Sequence, residues 1–192
     1  MKGMDYYDNH YAAFIARTQD IDMEPFYIPF QNRLTPGSRI LDIGCGSGRD
    51  LKYFKQAGYE PIGLEPSSKL SDHARQYANC EVLQTTIQDF ETVEKYDGIW
   101  ASASLLHLTP DELTLTLEKL ATLMFDHSIC YCSFKYGEGE LRRDGRYYND
   151  LTLDSFTALK PGALEIISAE VTEQDRPELL QKWLNVFLQR KV

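Results

Sequence analysis

The sequence predicts an α/β protein in three layers, with a mixed sheet held between helices. Three observations predict it. From Arg39 onward, short β-rich runs alternate with helix-length segments, the signature of parallel strands joined by crossover helices. A glycine-rich turn directly follows the first run. Two strand-like runs then close the chain with no helical pattern between them, which reads as an antiparallel pair.

Residues Met4 to Leu34 read as one or two amphipathic helices, with Tyr7, Tyr11, Phe14 and Ile15 on one face and Pro25 and Pro29 limiting the second. The runs Ile40 to Ile43, Pro61 to Leu64, Glu81 to Leu83, Gly98 to Ala101 and Ile129 to Phe134 supply five strands. After His107, the residues Thr109, Pro110 and Glu112 match N-cap, first-turn and capping-box positions. Leu113, Leu117, Leu120 and Met124 then form a stripe expected in the core. The runs "ALEIISAEV" and "KWLNVFLQR", separated by a polar loop with Pro177, bring the sheet to seven strands. No repeat, low-complexity tract or long linker divides the chain, so one domain is expected over 1–192. Its core would be 39–192, and residues 1–34 would form a helical lid over the carboxyl edge of the sheet.

Composition narrows the functional classes. A formal charge of −9 would repel a phosphate backbone or an anionic membrane, so a small-molecule partner is expected, with no nucleic acid and no membrane. The opening "MKGMDYYDNH" has no apolar run, so neither a signal peptide nor an anchor is expected. Cys45, Cys80, Cys130 and Cys132 are scattered without paired spacing, which points to reduced thiols in a cytoplasmic protein and to no metal site.

The most informative stretch is "LDIGCGSGRD", where Gly44, Gly46 and Gly48 follow the first strand. In open α/β sheets ligands bind outside the carboxyl ends of the strands, and glycines let a ligand approach the backbone closely. The dinucleotide fingerprint G-x-G-x-x-G fails by one residue, since position 49 is Arg49. What stands instead is D-x-G-x-G-x-G. Asp42 would attract a cationic group on the ligand, directly or through water.

This pattern resembles the first motif of the class I S-adenosylmethionine-dependent methyltransferases. The resemblance implies a Rossmann-like methyltransferase fold with strand order 3-2-1-4-5-7-6. It also implies S-adenosyl-L-methionine as cofactor and S-adenosyl-L-homocysteine as product, with the loop, Cys45 included, beneath the methionine part. The Cys45 side chain itself is read as packing. Glu65, in "PIGLEPS", matches the acid that holds both ribose hydroxyls, and a carboxylate's two oxygens suit two adjacent donors. In "VLQTTIQDFE", Thr86, Ile87 and Gln88 fall at the adenine position; the acid usual there is absent, and Asp89 either swings in or caps the next turn. Ala101 and Ser102 fall at the cofactor edge of strand four.

Four segments, "YYDNHYAAFIART", "WASASLLHL", "SFKYGEGELRRDGRYYNDL" and "KWLNVFL", further resemble the bacterial tellurite-resistance-related (TehB-like) methyltransferases. One departure is "MFDHS", where many relatives carry a K-P-G-G-type turn before strand five. The expected function is methyl transfer to a small acceptor, with His107 either the base or a structural residue. Tyr7 and His10 would line the pocket from the leading helix. The loop after strand five carries Lys135, Arg142, Arg143 and Arg146, which either hold an anionic acceptor or pair locally with glutamates. Two rival readings are a nucleotide-cofactor oxidoreductase and a cofactor-binding protein without catalysis.

Overall fold

The computed structural model describes residues 4–143, 145–174 and 181–192. Three helices lead, α1 (Met4–Asn9), α2 (Tyr11–Thr18) and α3 (Glu24–Gln31). Strands β1 (Arg39–Ile43), β2 (Glu60–Leu64), β3 (Glu81–Leu83), β4 (Tyr96–Ala101) and β5 (Met124–Lys135) follow, with helices α4 (Arg49–Gln56), α5 (Ser68–Ala78) and α6 (Pro110–Leu123) between them. After β5 come β6 (Gly139–Arg143), β7 (Arg146–Asp150), α7 (Leu153–Leu159), β8 (Leu164–Gln174) and β9 (Gln181–Arg190). The main sheet has seven strands in the order β3-β2-β1-β4-β5-β9-β8. Its first five strands are parallel, and β9 runs antiparallel to both β5 and β8. This is the arrangement expected from the sequence, and β6 and β7 are additional to it.

Strand periodicity divides the core into two layers. Leu41, Ile99, Cys130 and Cys132 face α6, whose Leu113, Leu117 and Leu120 are fully buried against them. Ile40, Trp100, Ile129 and Tyr131 face the other way and pack on Tyr27 and Phe30 of α3 and Phe54 of α4. Buried on both faces, the parallel strands need no polar alternation, which is why the runs read as continuously apolar. At the start of α6 the capping box is formed: Thr109 Oγ1 accepts from the Glu112 N–H, and the Glu112 carboxylate accepts from the Thr109 N–H.

Four features differ from the sequence reading. The leading segment is three helices, because His10 and the stretch after Thr18 break it. Pro29 lies inside α3 rather than at its limit, so α3 gives up one backbone hydrogen bond there. "MFDHS" opens β5 instead of preceding it; His127 takes a left-handed φ of 67° where the register with β4 shifts. The arginine-rich loop is a hairpin, β6 pairing antiparallel with β7 so that Arg142 faces Tyr147 and Arg143 faces Arg146. The sequence carries a signal for it, an Asp-Gly pair between the two runs. Pro177 and its loop lie outside the described residues. No helix among the described residues is long and apolar enough to cross a membrane.

Candidate functional site

The carboxyl ends of β1, β2, β3 and β4 open onto one cavity of about 520 Å³. Of the glycine loop only Gly44 lines it, and each glycine answers a different neighbour. Gly44 (φ +68°) lies against the turn after β4, where a Cβ would come within 2.5 Å of Ser104 Cβ. Gly46 (φ +54°) lies under the ring of Phe14 in α2, with 3.0 Å left for a Cβ. Gly48 (φ +81°) starts α4 and backs onto Ala74 of α5, also at 3.0 Å. The loop bends over β2, with the Gly44 and Cys45 N–H groups donating to the Leu64 carbonyl at 2.8 and 3.0 Å.

Glu65, just past β2, is buried and lines the cavity. Its Oε2 accepts from the Gly46 N–H at 3.0 Å and its Oε1 from the Ser67 N–H at 2.8 Å. Burial pushes its carboxyl up to about 7, against the lowering effect of those two N–H donors. Thr86, Ile87 and Gln88 line the same end. Asp89 does not; its Oδ2 accepts from the Thr86 hydroxyl at 2.8 Å and its N–H donates to Thr86 Oγ1, a local turn motif.

The other end gathers Tyr7, His107, Arg142, Arg146 and Tyr147. His107 Nδ1 lies 2.7 Å from the Tyr147 carbonyl, which only accepts, so Nδ1 carries the proton and Nε2 takes the Tyr7 hydroxyl at 2.8 Å. Burial, with the charges of Arg146 and Lys135, pushes the imidazole down to about 4, against the raising effect of the hydrogen bond to the Tyr147 carbonyl. The Arg146 guanidinium stands 4.2 Å over the Tyr6 ring, and the Tyr147 hydroxyl donates to Glu140 at 2.6 Å.

Helix α1 is tied across both ends. Tyr7 reaches His107, while the Asp8 carboxylate accepts from the Ser67 hydroxyl at 2.6 Å and the Lys69 N–H at 3.2 Å, at the amino end of α5. These hydrogen bonds hold the Asp8 carboxyl below its ordinary value.

Several candidates sit outside the cavity lining. The Cys45 sulfur packs on Gly63, and Gly48 serves the α4–α5 contact. Gly46, Ala101 and Ser102 are set back from the lining. His10 stacks on Tyr6 and bonds its carbonyl. Lys135 and Arg143 stand over Tyr148 at 4.1 and 5.8 Å. Asp42 is buried beneath the loop, and its Oδ2 meets no hydrogen-bond partner among the described residues. Sequence reasoning missed Ser67, Ser104, Glu112 and Glu140, all in the lining. Ser104 Oγ is also buried without a partner among the described residues. It follows Ala103, which takes a left-handed φ of 52° and donates its N–H to Ser133 Oγ at 2.9 Å. No sequence signal marks that strained turn.

A seven-stranded mixed sheet of this order, with a glycine loop after β1 and an acid after β2, is the Rossmann-like fold of S-adenosylmethionine-dependent methyltransferases. Residues 40–126 match the family model described as a methyltransferase domain. The ubiquinone biosynthesis O-methyltransferase of Nitrobacter winogradskyi is 31% identical over 93 residues, covering 46% of this chain and 35% of that protein. The chain thus spans only about a third of that relative's length. Among solved structures, the 1,6-didemethyltoxoflavin-N1-methyltransferase of Burkholderia thailandensis superposes with a TM-score of 0.79 at 16% identity, covering 98% of this chain and 86% of that one. TehB from Haemophilus influenzae gives 0.73 at 14% identity, covering 98% and 67%.

Proposed function

We propose that this chain is an S-adenosylmethionine-dependent methyltransferase acting on a small-molecule acceptor. The observation that carries this reading is one cavity with two chemically distinct ends. One end offers Gly44 at the start of the glycine loop, the Glu65 carboxylate and the segment Thr86 to Gln88, a set that fits an amino-acid-bearing nucleoside. The other end offers a neutral histidine, a tyrosine and two guanidinium groups, a set that fits an acceptor with an exchangeable proton and an anionic substituent. The buried Asp42 Oδ2 and Ser104 Oγ meet no hydrogen-bond partner among the described residues and so suit a polar ligand at the loop.

When bound, S-adenosylmethionine supplies an electrophilic methyl group and a good leaving group. The chain then has to position the acceptor, exclude water and receive a proton. Glu65 would hold the ribose, and Asp42 the amino group, directly or through water. Arg142 and Arg146 orient the acceptor's anionic group. His107 receives the acceptor's proton at Nε2 once the Tyr7 hydroxyl yields that position, while Tyr147 keeps the other nitrogen protonated. The leading segment, 1–34, acts as a lid on a single catalytic domain. The 1,6-didemethyltoxoflavin bound by the Burkholderia enzyme, and the part in ubiquinone biosynthesis named for the Nitrobacter relative, support a small-molecule acceptor here. The four TehB-like segments support placement in that group, in a cytoplasmic protein that binds neither nucleic acid nor membrane.

Calorimetry with S-adenosylhomocysteine and with NAD(H) tests the reading. Micromolar binding of the former and none of the latter is expected. NAD(H) binding with no response to S-adenosylhomocysteine would overturn it, and tight binding without transfer from labelled S-adenosylmethionine to any of a broad acceptor panel would favour a non-catalytic role.

A further inference from the structure

Three buried carboxylates ring the glycine loop, Asp42, Asp50 and Glu65, with the Arg49 guanidinium among them. Asp50 takes two of the three guanidinium nitrogens. Its Oδ1 accepts from Arg49 Nε at 2.7 Å and from the Tyr27 hydroxyl, and its Oδ2 accepts from Arg49 Nη2 and Trp100 Nε1, each at 2.9 Å. The remaining Arg49 nitrogen donates to the Thr18 carbonyl at 3.0 Å. Glu65 is satisfied by two backbone N–H groups. Asp42 has neither arrangement: it is 1% exposed, its Oδ2 meets no hydrogen-bond partner among the described residues, and Asp50 and Glu65 both act on it. The other titratable groups near it, the Cys45 and Cys80 thiols, are both pushed up and so stay neutral. An ionised carboxylate buried without a partner is strongly unfavourable, and protonation is the usual escape.

We propose that Asp42 is the neutral acid in the ligand-free protein and gives up its proton when a cationic amino group arrives beneath the glycine loop. The inference rests on the cavity taking an amino-acid-bearing nucleoside, as proposed above. The balance is simple: the Asp42 O–H bond breaks, the proton leaves to solvent, and the carboxylate pairs with the ligand's ammonium, directly or through water. Cofactor binding is therefore coupled to proton release, and affinity falls as pH drops. Burial, with the charges of Asp50 and Glu65, pushes the Asp42 carboxyl well above its ordinary range, and Arg49 opposes this.

The test is calorimetric titration of S-adenosylhomocysteine at pH 7 in two buffers of different ionisation enthalpy, on the wild type, Asp42→Asn and Glu65→Gln. The wild type is expected to release about one proton more than Asp42→Asn, and its affinity to gain about tenfold more per pH unit between about pH 6 and 7. Glu65→Gln should keep the Asp42 contribution, which separates the two acids. Equal proton counts in wild type and Asp42→Asn, with both binding, would overturn this inference alone; a wild type that does not bind S-adenosylhomocysteine would overturn both readings. Asn imitates the neutral acid, so the ligand-free melting temperature of Asp42→Asn at pH 7 should match or exceed that of the wild type. A clear fall, with the variant still folded, would show that an ionised Asp42 is stabilised in the free protein and would count against the inference.

Discussion

At the residue scale, His107 shows how surroundings redefine a side chain. The sequence presents a lone histidine after strand four, a candidate base at its ordinary pKa near ~6.5. In place, it is held neutral, with one nitrogen on the Tyr147 carbonyl and the other on Tyr7. Its folded pKa, about 4, lies below its unfolded value. The unfolded chain therefore takes up a proton that the folded one refuses, and stability falls as pH drops from ~6.5 to ~4. In urea titrations the wild type should lose up to about 3 kcal/mol more than His107→Asn across that window. The comparison cancels Asp42 and Glu65, whose raised folded values act with the opposite sign. A matching pH profile in the variant would mean that His107 is not held neutral. For the other end of the cavity, Glu65→Gln exchanges a carboxylate for an amide and so removes a charged acceptor. A hydrogen bond to a charged group is worth about 1.5–3 kcal/mol, so affinity for S-adenosylhomocysteine should fall roughly 10- to 100-fold by calorimetry.

At the element scale, the glycine loop is three solutions in one stretch. Gly48→Ala puts a Cβ against α5 backbone and forces a left-handed conformation on a residue that disfavours it, so the urea midpoint should report a loss of about 2–4 kcal/mol. Gly46→Ala carries the same conformational cost, yet its neighbour is the ring of Phe14 on a short helix, which can move. Its distinguishing effect should be faster amide hydrogen exchange in α2, with α4 and α5 unchanged; protection lost equally in α4 and α5 would argue against it. Capping is readable from local chemistry, as Thr109 and Glu112 show. The β6–β7 hairpin is harder to read, although the sequence carries an Asp-Gly pair between the two runs, because the run of charges around it resembles a solvated loop.

At the scale of the whole molecule, ligand and fold stability are linked. A ligand bound only by the folded chain stabilises it by about 2.7 kcal/mol at a hundred times its Kd, and for a chain of this size that is a shift of roughly 5–10 °C in Tm. S-adenosylhomocysteine should produce such a shift in a thermal melt, and NAD should not. No shift with S-adenosylhomocysteine at millimolar concentration would count against the proposed cofactor. The parallel strands follow from the same large-scale pattern, since strands buried on both faces leave apolar runs spaced by helices, whereas their order was implied by the family resemblance and not by that pattern.

The sequence by itself determined the strands of the main sheet, their alternation with helices, the capped α6 and the loop of three glycines. All of these depend on local propensity or on residues a few positions apart. Only the tertiary structure decided which residues share the cavity. It set Tyr7 against His107, a hundred positions away, and placed Arg142 and Arg146 in the lining while turning Lys135 and Arg143 toward Tyr148. It also left the Asp42 Oδ2 beneath the loop without a partner among the described residues while giving Arg49 to Asp50. Hydrogen bonds and charge interactions depend on distances between side chains brought together by the fold, and no local pattern in the chain encodes those distances.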